Sequence, residues 1–506
     1  MKEKIRSLDE LAQILDQRGE ETVVLAHGTF DLMHLGHIRY LKRAAEQGQC
    51  LVVTLTADAF VNRGPGRPVF NETQRAEALA ALDCVNFVAI NSSATAIEAI
   101  ELLKPDFYAK GSEYQDESKD VTGNIRLERE AVEACGGQMF FSHEPTFSSS
   151  RLLNAYFDVF SPAVQSYLNE FKSFCPSAEA VDAAINNACG NMNVLVVGDA
   201  IIDEYITTSP LGMTGKSNML AFSYCDKERH AGGVFSVANH IAGFVSSVTI
   251  ATGLGERESC EAIIREKLAK NVEPVFFKAK DRDTLIKTRY ISGDYSKLFE
   301  VYNQAQFVLD DESQQAMLHW LREKVADYDL VIVPDYGNGL INDEMVQVLS
   351  DNAKYLAVNT QINSGNRGYH VITRYPRADF ISLNEPELRL AKHDNRNSID
   401  LVASQLSKDM GAQVVAVTRG KHGVCYCDMS EGRIHEAPAL STNVVDRIGA
   451  GDIFLALASL AAAAKLDARL VVFIASAAAA IGVQIVGNRE FINPASLSKY
   501  FSSLMK

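Results

Sequence analysis

The sequence lacks the features that mark several large classes of protein. None of its nine cysteines forms a CxxC pair, so we expect all nine to be reduced and mostly buried in a cytoplasmic protein. Basic side chains are in the minority, at 49 against 64 acidic ones. Nonspecific nucleic-acid binding needs a basic face, so the net charge of −15 disfavours a nucleic-acid partner.

No membrane partner is predicted either. The N-terminal stretch MKEKIRSLDELAQIL is charged and has no apolar block typical of a signal peptide. The uncharged stretch 470–486 has 17 residues, whereas a spanning helix needs about 20. It is alanine-rich and follows another alanine-rich segment. A buried helix of a large α/β domain is therefore a better interpretation than a membrane span.

Strands and helices alternate in the first part of the chain. The apolar runs 23–26 (VVLA) and 51–56 (LVVTLT) predict buried parallel strands, and the helical periodicity of 37–47 between them completes a βαβ unit. Further strands are predicted at 85–90 and 106–109, with helices at 94–103 and 124–135. Residues 1–155 thus read as a small Rossmann-like α/β domain.

A second and larger α/β domain is predicted for residues 193–506, after a helical connector at 156–192. It opens with NVLVVGDAIIDEY, interpreted as a strand followed by an aspartate-rich turn. Further strands are predicted at 247–251, 329–333, 355–359, 370–372, 379–382 and 413–418.

Two histidines mark the first candidate site. Gly28 follows a strand and permits a tight turn, and a helix is expected to begin near Leu35 or Gly36. The free N–H groups of that first turn form an anion pocket, and His34 and His37 can donate to phosphate oxygens. A metal site would need further ligands that are not nearby. Two unrelated surface histidines remain the alternative.

The motif GTFDLMHLGH resembles the signature of the cytidylyltransferase-like nucleotidyltransferases. The resemblance continues through RGPGRPVFNETQR (63–75), YAKGSEY (108–114) and FSSSRLLN (147–154). The resemblance implies that one set of residues binds the nucleotide or its phosphates and that three further residues are catalytic. The first set is Gly28, Thr29, Phe30, Arg67, Arg75, Gly111, Ser149 and Ser150, and the second is His34, His37 and Lys110.

These residue types suit nucleotidyl transfer to a sugar 1-phosphate. The attacking phosphate oxygen is already an anion, since the second phosphate pKa is about 6, so no strong general base is required. Charge neutralisation and in-line placement are required, and the histidines, Lys110, the arginines and Mg²⁺ would supply them. Whether the nucleotide is ATP or CTP stays open.

The stretch DRIGAGDIF marks the second candidate site. Gly449, Ala450 and Gly451 let backbone N–H groups converge on an anion where a helix begins, and Asp452 lies beside them. A sugar hydroxyl is a neutral and poor nucleophile, so phosphorylating it calls for a carboxylate that accepts its proton. Asp452 is the predicted base, with the neighbouring amides stabilising charge on the transferred phosphoryl group. A mere tight helix start is the alternative.

This stretch resembles the D-T-x-G-A-G-D motif of ribokinase-like sugar kinases, with Arg447 in place of the threonine. The resemblance covers about 193–495 and implies a small β lid over the main domain. It assigns sugar binding to Asp203, Gly232, Gly233 and Asn239, nucleotide binding to Thr418 and Gly420, and Mg²⁺ to Asn384 and Glu387 of the motif NEPE. TLIKTRYI (284–291) would add Lys287 and Arg289 near a substrate phosphate, unless it is an ordinary exposed strand.

Together the halves resemble the bifunctional heptose-7-phosphate kinase and ADP-heptose synthase family, with the domains in reverse order. The resemblance implies an enzyme that uses ATP and Mg²⁺ on sugar phosphates and nucleoside triphosphates, for a bacterial surface polysaccharide such as lipopolysaccharide. A homodimer through a lid near 218–230 is expected. Asn359 is uncharged where kinases of this branch usually carry an acidic residue. The alternative is a synthase of a CDP-polyol or another NDP-sugar whose kinase-like half is an inactive dimerising or regulatory scaffold.

Overall fold

The structure is a computed structural model, and its packing divides the chain into two compact units. One comprises Met1–Pro162 with Ser498–Lys506, and the other Ala163–Leu497. The structure describes the chain except for residues 1, 18, 62–66, 116–123, 143–159, 294–295, 367, 442–443, 488 and 506. The predicted phosphate-binding residues Ser149 and Ser150 lie outside the described residues.

A parallel sheet forms the centre of the first unit. Its strands are β1 (Val23–Gly28), β2 (Cys50–Thr56), β3 (Phe87–Asn91), β4 (Phe107–Gly111) and β5 (Gln138–Ser142), in the order β3-β2-β1-β4-β5. The helices are α1 (Leu8–Asp16), α2 (Leu35–Ala45), α3 (Glu72–Ala80), α4 (Ile97–Leu103) and α5 (Asn124–Ala134). Alternate residues of β1 enter different hydrophobic clusters, Val24 one and Val23 the other, because helices cover both faces of the sheet.

The strand order reverses between β1 and β4, which pair in parallel from Val24 and Phe107 onward. At such a switch point the two connections leave toward opposite faces of the sheet and open a crevice at the carboxyl ends of the strands. The loop after Gly28 and the loop after Gly111 both begin at this crevice.

The second unit has two sheets within the described residues. The strands are β6 (Asn193–Val197), β7 (Ala200–Met213), β8 (Leu220–Gly233), β9 (Ser247–Gly255), β10 (Val272–Ala279), β11 (Leu285–Ser292), β12 (Lys297–Tyr302), β13 (Leu330–Asp335), β14 (Leu356–Thr360), β15 (Phe380–Asn384), β16 (Val414–Thr418), β17 (Val424–Asp428) and β18 (Arg433–Ala437). The larger sheet has the order β10-β9-β6-β13-β14-β15-β16-β17-β18 and is parallel from β10 to β16.

Helices cover the larger sheet, and its inner strands are almost wholly buried as a result, whereas the edge strands β10 and β18 are partly exposed. They span Pro162–Phe174, Ala178–Cys189, Val234–Ala242, Glu261–Lys267, Asp311–Lys324, Asp343–Asn352, Glu385–Lys392, Ile399–Met410, Ala450–Ala463 and Ala468–Gly482, and Pro494–Met505 ends the chain. A Cβ at Gly482 would lie 2.2 Å from Ile453 Cδ1. The small residues of this region therefore let two buried helices approach closely.

The smaller sheet, here called the lid sheet, has the order β12-β11-β7-β8. Asp203 of β7 pairs with Lys287 of β11 and with His230 of β8. Directly paired residues project to one face of a sheet, so this row places an acid between a lysine and a histidine.

The predicted α/β architecture, with parallel strands in both halves and a small β lid, is confirmed. Two local predictions were wrong. Residues 370–372 do not form a strand: Ile372–Arg374 is a short 3₁₀ helix, because Arg374 and Tyr375 bind the buried Asp335 carboxylate at 2.9 and 2.7 Å. The aspartate-rich segment from Ala200 is strand β7 and not a turn, so Asp203 stands on a paired strand.

The stretch 470–486 falls mostly within the buried helix Ala468–Gly482, as predicted. Among the described residues, no helix is both long enough and apolar enough to cross a membrane.

Candidate active sites

The structure brings the two predicted histidines of the first site together. His34 precedes α2 as its N-cap, and its Nδ1 accepts a hydrogen bond from the Gly36 N–H at 3.1 Å. The His34 and His37 rings stack with their centroids 4.0 Å apart. Phe30 packs edge-on against His37 at 5.4 Å, and a Cβ at Gly28 would lie 3.1 Å from the Phe30 ring. The glycine thus makes room for the ring that packs against His37.

Lys110 is the last residue but one of the neighbouring strand β4, which ends at Gly111. Its Nζ lies 2.8 Å from Glu128 Oε2, and about 5 Å from the ring centres of Tyr108 and Tyr114. The Tyr40 hydroxyl donates to the Ala109 carbonyl at 2.7 Å and so joins α2 to this strand. A phosphate at this place would compete with Glu128 for the ammonium group.

Arg75 has a different place from the predicted one. Its side chain is 1% exposed, and its guanidinium donates to the carbonyls of Thr29, Thr56 and Phe70 at 2.5–2.9 Å. Asp58 Oδ1 takes a further bond at 2.5 Å. The expectation that Arg75 approaches a phosphate is therefore corrected: its donors hold the backbone of the signature loop.

The basic loop is held by an aspartate of the signature motif. Asp31 Oδ1 accepts from the N–H groups of Val69 and Phe70 at 2.7 and 3.1 Å. Arg67, just before them, is buried. Sequence reasoning missed this tether, although Asp31 lies inside the motif that drew attention to the site.

The second site is built around Asp452, in the first turn of the helix Ala450–Ala463. Burial, assisted by the charge of Asp203, raises the pKa of this carboxyl to about 7 against the lowering effect of the neighbouring Tyr336 hydroxyl and of Lys287. Gln361 Nε2 donates to Asp452 Oδ1 at 3.3 Å. A carboxyl that titrates near neutrality is suited to accept a proton during catalysis.

Asp203 lies in a buried row of charges on the lid sheet. Arg289 Nη1 donates to Asp203 Oδ1, and Arg289 Nε donates to Glu300 Oε1 at 2.9 Å. Lys287 lies with its Nζ 5.3 Å from the Tyr302 ring centre, and burial lowers its pKa. Both basic side chains are 7% exposed, which excludes the alternative of an ordinary exposed strand.

The glycine pair is at the end of β8, but Asn239 is not part of the sugar site. Gly233 has a φ of +57°, and a Cβ there would lie 2.5 Å from the Asp199 carbonyl oxygen. The Gly232–Gly233 turn therefore requires glycine for close backbone approach. The Asn239 side chain donates to the Lys267 carbonyl at 3.0 Å and accepts from the Ala269 N–H at 2.9 Å. Its predicted role in sugar binding is corrected, because both ends of the amide are bonded to the backbone of the turn at Lys267–Ala269.

The NEPE residues form a helix cap that still leaves acceptors for a cation. The Asn384 side chain accepts from the Glu387 N–H at 2.9 Å, and Glu387 accepts from Asn384 N and Ile362 N at 2.8 and 3.3 Å. Each carboxylate oxygen has two lone pairs, so Glu387 can also accept from a Mg²⁺-bound water. Burial raises its pKa to about 7, and a cation would favour the charged form. Within the described residues, no cluster of three acidic, histidine or cysteine ligands is present.

The predicted nucleotide strand ends as expected, with Thr418 as the last residue of β16. Gly420 follows with a φ of +55°, and a Cβ there would meet open space. In the stretch DRIGAGDIF, residue 449 has a φ of +80°, which favours glycine, and the helix begins at the next residue, Ala450.

Gly451 offers a test of the backbone cradle. A Cβ at this position would meet nothing within 4 Å, so Gly451→Ala is sterically free and adds a good helix former. We expect the melting temperature to stay constant or rise, while phosphoryl transfer falls by about 10-fold or more, because a methyl group would stand where the phosphate approaches the amides. Differential scanning calorimetry and a coupled ADP assay measure the two effects. Equal activity in both proteins would contradict a phosphate site here.

Two residues near Asp452 were missed by sequence reasoning. Tyr336 follows β13 directly and Gln361 follows β14 directly. Their position directly after a buried strand could have indicated them, because ligand-binding residues of parallel α/β sheets lie just beyond the carboxyl ends of the strands. Asp446, at the start of DRIGAGD, was also missed: its carboxylate accepts from Ile448 N and Gly487 N at 3.0 and 3.1 Å and orders the loop.

Comparison with known proteins agrees with this geometry. Residues 191–495 match the pfkB family of carbohydrate kinases, and residues 25–155 match the cytidylyltransferase-like family. The first match covers more than half of the chain, so the chain belongs to the pfkB carbohydrate kinase family. It is an enzyme that joins a carbohydrate kinase domain to a cytidylyltransferase-like Rossmann domain.

Individual relatives resemble only part of it. A bifunctional protein HldE of Citrifermentans bemidjiense is 44% identical over 141 residues, 27% of each chain. A protein of the same name from Campylobacter curvus is 43% identical over 123 residues, 24% of this chain and 26% of the relative. The matched segment thus spans about a quarter of these relatives. The solved phosphofructokinase-2 of Escherichia coli in complex with potassium has a TM-score of 0.50 at 15% identity, covering 63% of this chain and all of that one. This likeness shows the ribokinase-like fold alone.

Proposed function

We propose that the chain makes a nucleotide-activated sugar in two steps, with a heptose 7-phosphate as the first substrate. The observation that carries the proposal is the buried Asp452, whose pKa is near 7 and which is electrostatically coupled to Asp203 of the lid sheet. The bifunctional relatives that the first unit resembles fit this reading.

In the kinase step the anomeric hydroxyl attacks the γ-phosphorus of ATP. An oxygen–phosphorus bond forms, the bond to the β-phosphate oxygen breaks, ADP leaves, and Asp452 accepts the hydroxyl proton. Asp203 and Arg289 hold the sugar, and the amides from Gly449 to Asp452 stabilise the charge on the moving phosphoryl group. When bound through Glu387 and Asn384, Mg²⁺ would neutralise charge on the nucleotide phosphates.

In the second step an oxygen of the sugar 1-phosphate attacks the α-phosphorus of ATP or CTP, and pyrophosphate leaves. This attacking group is already charged, so His34, His37 and Lys110 position the phosphates and neutralise charge. The stacked histidines of the first unit are suited to this role because they carry ring N–H donors at the start of α2.

An inactive kinase half is the weaker candidate. A scaffold gains nothing from a buried carboxylate with a raised pKa, because burying such a group costs stability. The intact glycine cradle and acidic base therefore favour an active kinase.

The proposal is tested by incubating the protein with a panel of sugar phosphates, their parent sugars, sugar 1-phosphates and each nucleoside triphosphate, and identifying products by mass. We expect an anomeric phosphate from one sugar phosphate and a nucleoside diphosphate sugar from its 1-phosphate. Failure of every sugar and sugar phosphate to accept a phosphoryl group would remove the kinase proposal. Failure of every sugar 1-phosphate would remove the nucleotidyl step.

The domain boundaries at 155 and 192 and the homodimer stay predictions. In support of a dimer, the far end of the lid hairpin exposes apolar side chains, with Leu211 71% and Leu220 64% exposed. Sedimentation velocity of the purified chain measures the oligomeric state, and a monomer at micromolar concentration would count against the dimer.

A further inference from the structure

A cavity lies next to the glycine pair of the kinase unit. Its volume is about 340 Å³, and Ala231, directly before Gly232, forms part of its wall. The remaining lining residues are Glu228, His230, Lys267, Arg489 and Phe491. None of them belongs to the phosphate cradle at Gly449–Asp452, and of these residues His230 is the one that pairs with Asp203 on the lid sheet.

Two side chains, Arg489 and His230, converge here on one carboxylate oxygen of Glu228. Arg489 Nε and Nη2 lie 2.9 and 2.8 Å from Glu228 Oε2, and His230 Nε2 lies 3.3 Å from the same atom. Lys267 also lines the wall, and its Nζ lies 3.4 Å from Glu266 Oε1. The Glu228 carboxylate therefore occupies the place that an anionic ligand group would take. Guanidinium groups bind phosphate at least as well as carboxylate.

The cavity shares a face of the lid sheet with the sugar site. His230 pairs directly with Asp203, and its ring contacts Tyr205 edge-on at 5.9 Å. Glu228 pairs with Tyr205, two residues further along the strand. At about 3.3 Å per residue this places the cavity about 7 Å beyond Asp203, within the length of a six- or seven-carbon sugar.

The wall is held in position by bonds from outside the cavity. Two backbone hydrogen bonds flank Arg489 in the sequence. The Gly487 N–H donates to Asp446 Oδ2 at 3.1 Å, and the Ile492 N–H donates to His240 Nδ1 at 3.1 Å. On the opposite side, Asn239 binds the Lys267 carbonyl. These bonds fix the backbone on both sides of Arg489 and at Lys267, so the wall is in position before a ligand enters.

We propose that this cavity binds the distal phosphate of the sugar substrate, with Arg489, His230 and Lys267 as its donors. This role rests on the proposed kinase step, and the distal phosphate is the part of the substrate that the cavity would recognise. Arg489 exchanges the Glu228 carboxylate for the substrate phosphate when the sugar enters. The site thereby favours sugar phosphates over the parent sugars.

The test compares kcat/KM for a sugar phosphate, heptose 7-phosphate among the panel, with that for its parent sugar. Arg489→Gln is expected to lower the value by about 10- to 150-fold for the phosphorylated sugar and by less than about 2-fold for the parent sugar. Arg489→Lys should restore part of the loss because it keeps the charge. Glu228→Gln breaks the same ion pair without removing the cation, so it should lower KM for the sugar phosphate.

Arg469→Gln is the matched control, because Arg469 also pairs with an acid, Asp467, at 2.8 Å on the same unit and should leave both substrates unaffected. Equal losses for both substrates in Arg489→Gln, or the same loss in Glu228→Gln, would reduce the cluster to a structural ion pair and overturn the proposal. So would a wild-type protein that phosphorylates sugars and sugar phosphates equally well. A wild-type protein without any phosphoryl transfer would instead remove the kinase step itself, and the cavity's role with it.

Discussion

Asp452→Asn is expected to lower phosphoryl transfer by about 10²- to 10⁴-fold while nucleotidyl transfer continues at the wild-type rate. The range is what a positioned general base contributes to a reaction of this kind. Asparagine keeps the volume and the bond with Gln361 but cannot accept a proton. Because the two steps use separate sites, only one of them should respond. ADP release and pyrophosphate release, measured on the same preparation, report the two activities.

The pH profile gives the same experiment a second readout. The base works in its ionised form, and burial places the pKa of Asp452 at about 7. The wild-type kcat/KM for the kinase step should therefore rise about 10-fold per pH unit below 7 and level off above it. In Asp452→Asn this rise should vanish from the residual activity.

A matched control for this variant is Asp467→Asn. Asp467 caps the next helix, and asparagine preserves such a cap. Neither activity should change. Retention of more than about a tenth of the phosphoryl transfer in Asp452→Asn would assign the base to another residue.

His34→Asn is expected to lower nucleotidyl transfer by about 10²- to 10³-fold and to leave the kinase step intact. This is the loss that follows removal of one preorganised donor from a site where charge develops. Asparagine is a good N-cap, so it can still accept the Gly36 N–H that His34 Nδ1 accepts now. The substitution therefore removes the imidazole and keeps the helix start.

His34→Ala separates the two roles of this side chain. It should lose the same activity and about 1 kcal/mol of stability as well, because the cap is lost. Thermal unfolding and pyrophosphate release on both variants make the comparison. If His34→Asn remains fully active and only His34→Ala is impaired, the histidine serves the helix and not the nucleotide.

Sequence alone could predict the elements and the motif residues, because strand runs, glycines and caps are local signals. The helix from Leu35, the buried strand ends and the close pair of His34 and His37 follow from such signals. Arg75 and Asn239 were misassigned for one reason. Their types suit ligand binding, but each is bonded to backbone that is distant in the chain, and no local pattern reveals that.

The lid sheet shows the same limit. That Asp203 would face Lys287 and His230 depends on strand register across more than 80 residues for one pair and 27 for the other. Register of this kind is set by the packing of the whole face. The cavity at Arg489 depends on it as well, together with a loop that follows the helix Ala468–Gly482.

Arg75 has a consequence for protein engineering. Its guanidinium donates to the Thr29 carbonyl in the signature loop, to the carbonyl of Thr56 at the end of β2, and to Asp58 just beyond that strand. Transplanting GTFDLMHLGH into another scaffold would therefore leave the loop without the hydrogen bonds that Arg75 donates to it and to its neighbours. A graft would have to bring the arginine and its aspartate along, and a lysine could not replace the fork of donors that reaches several acceptors at once.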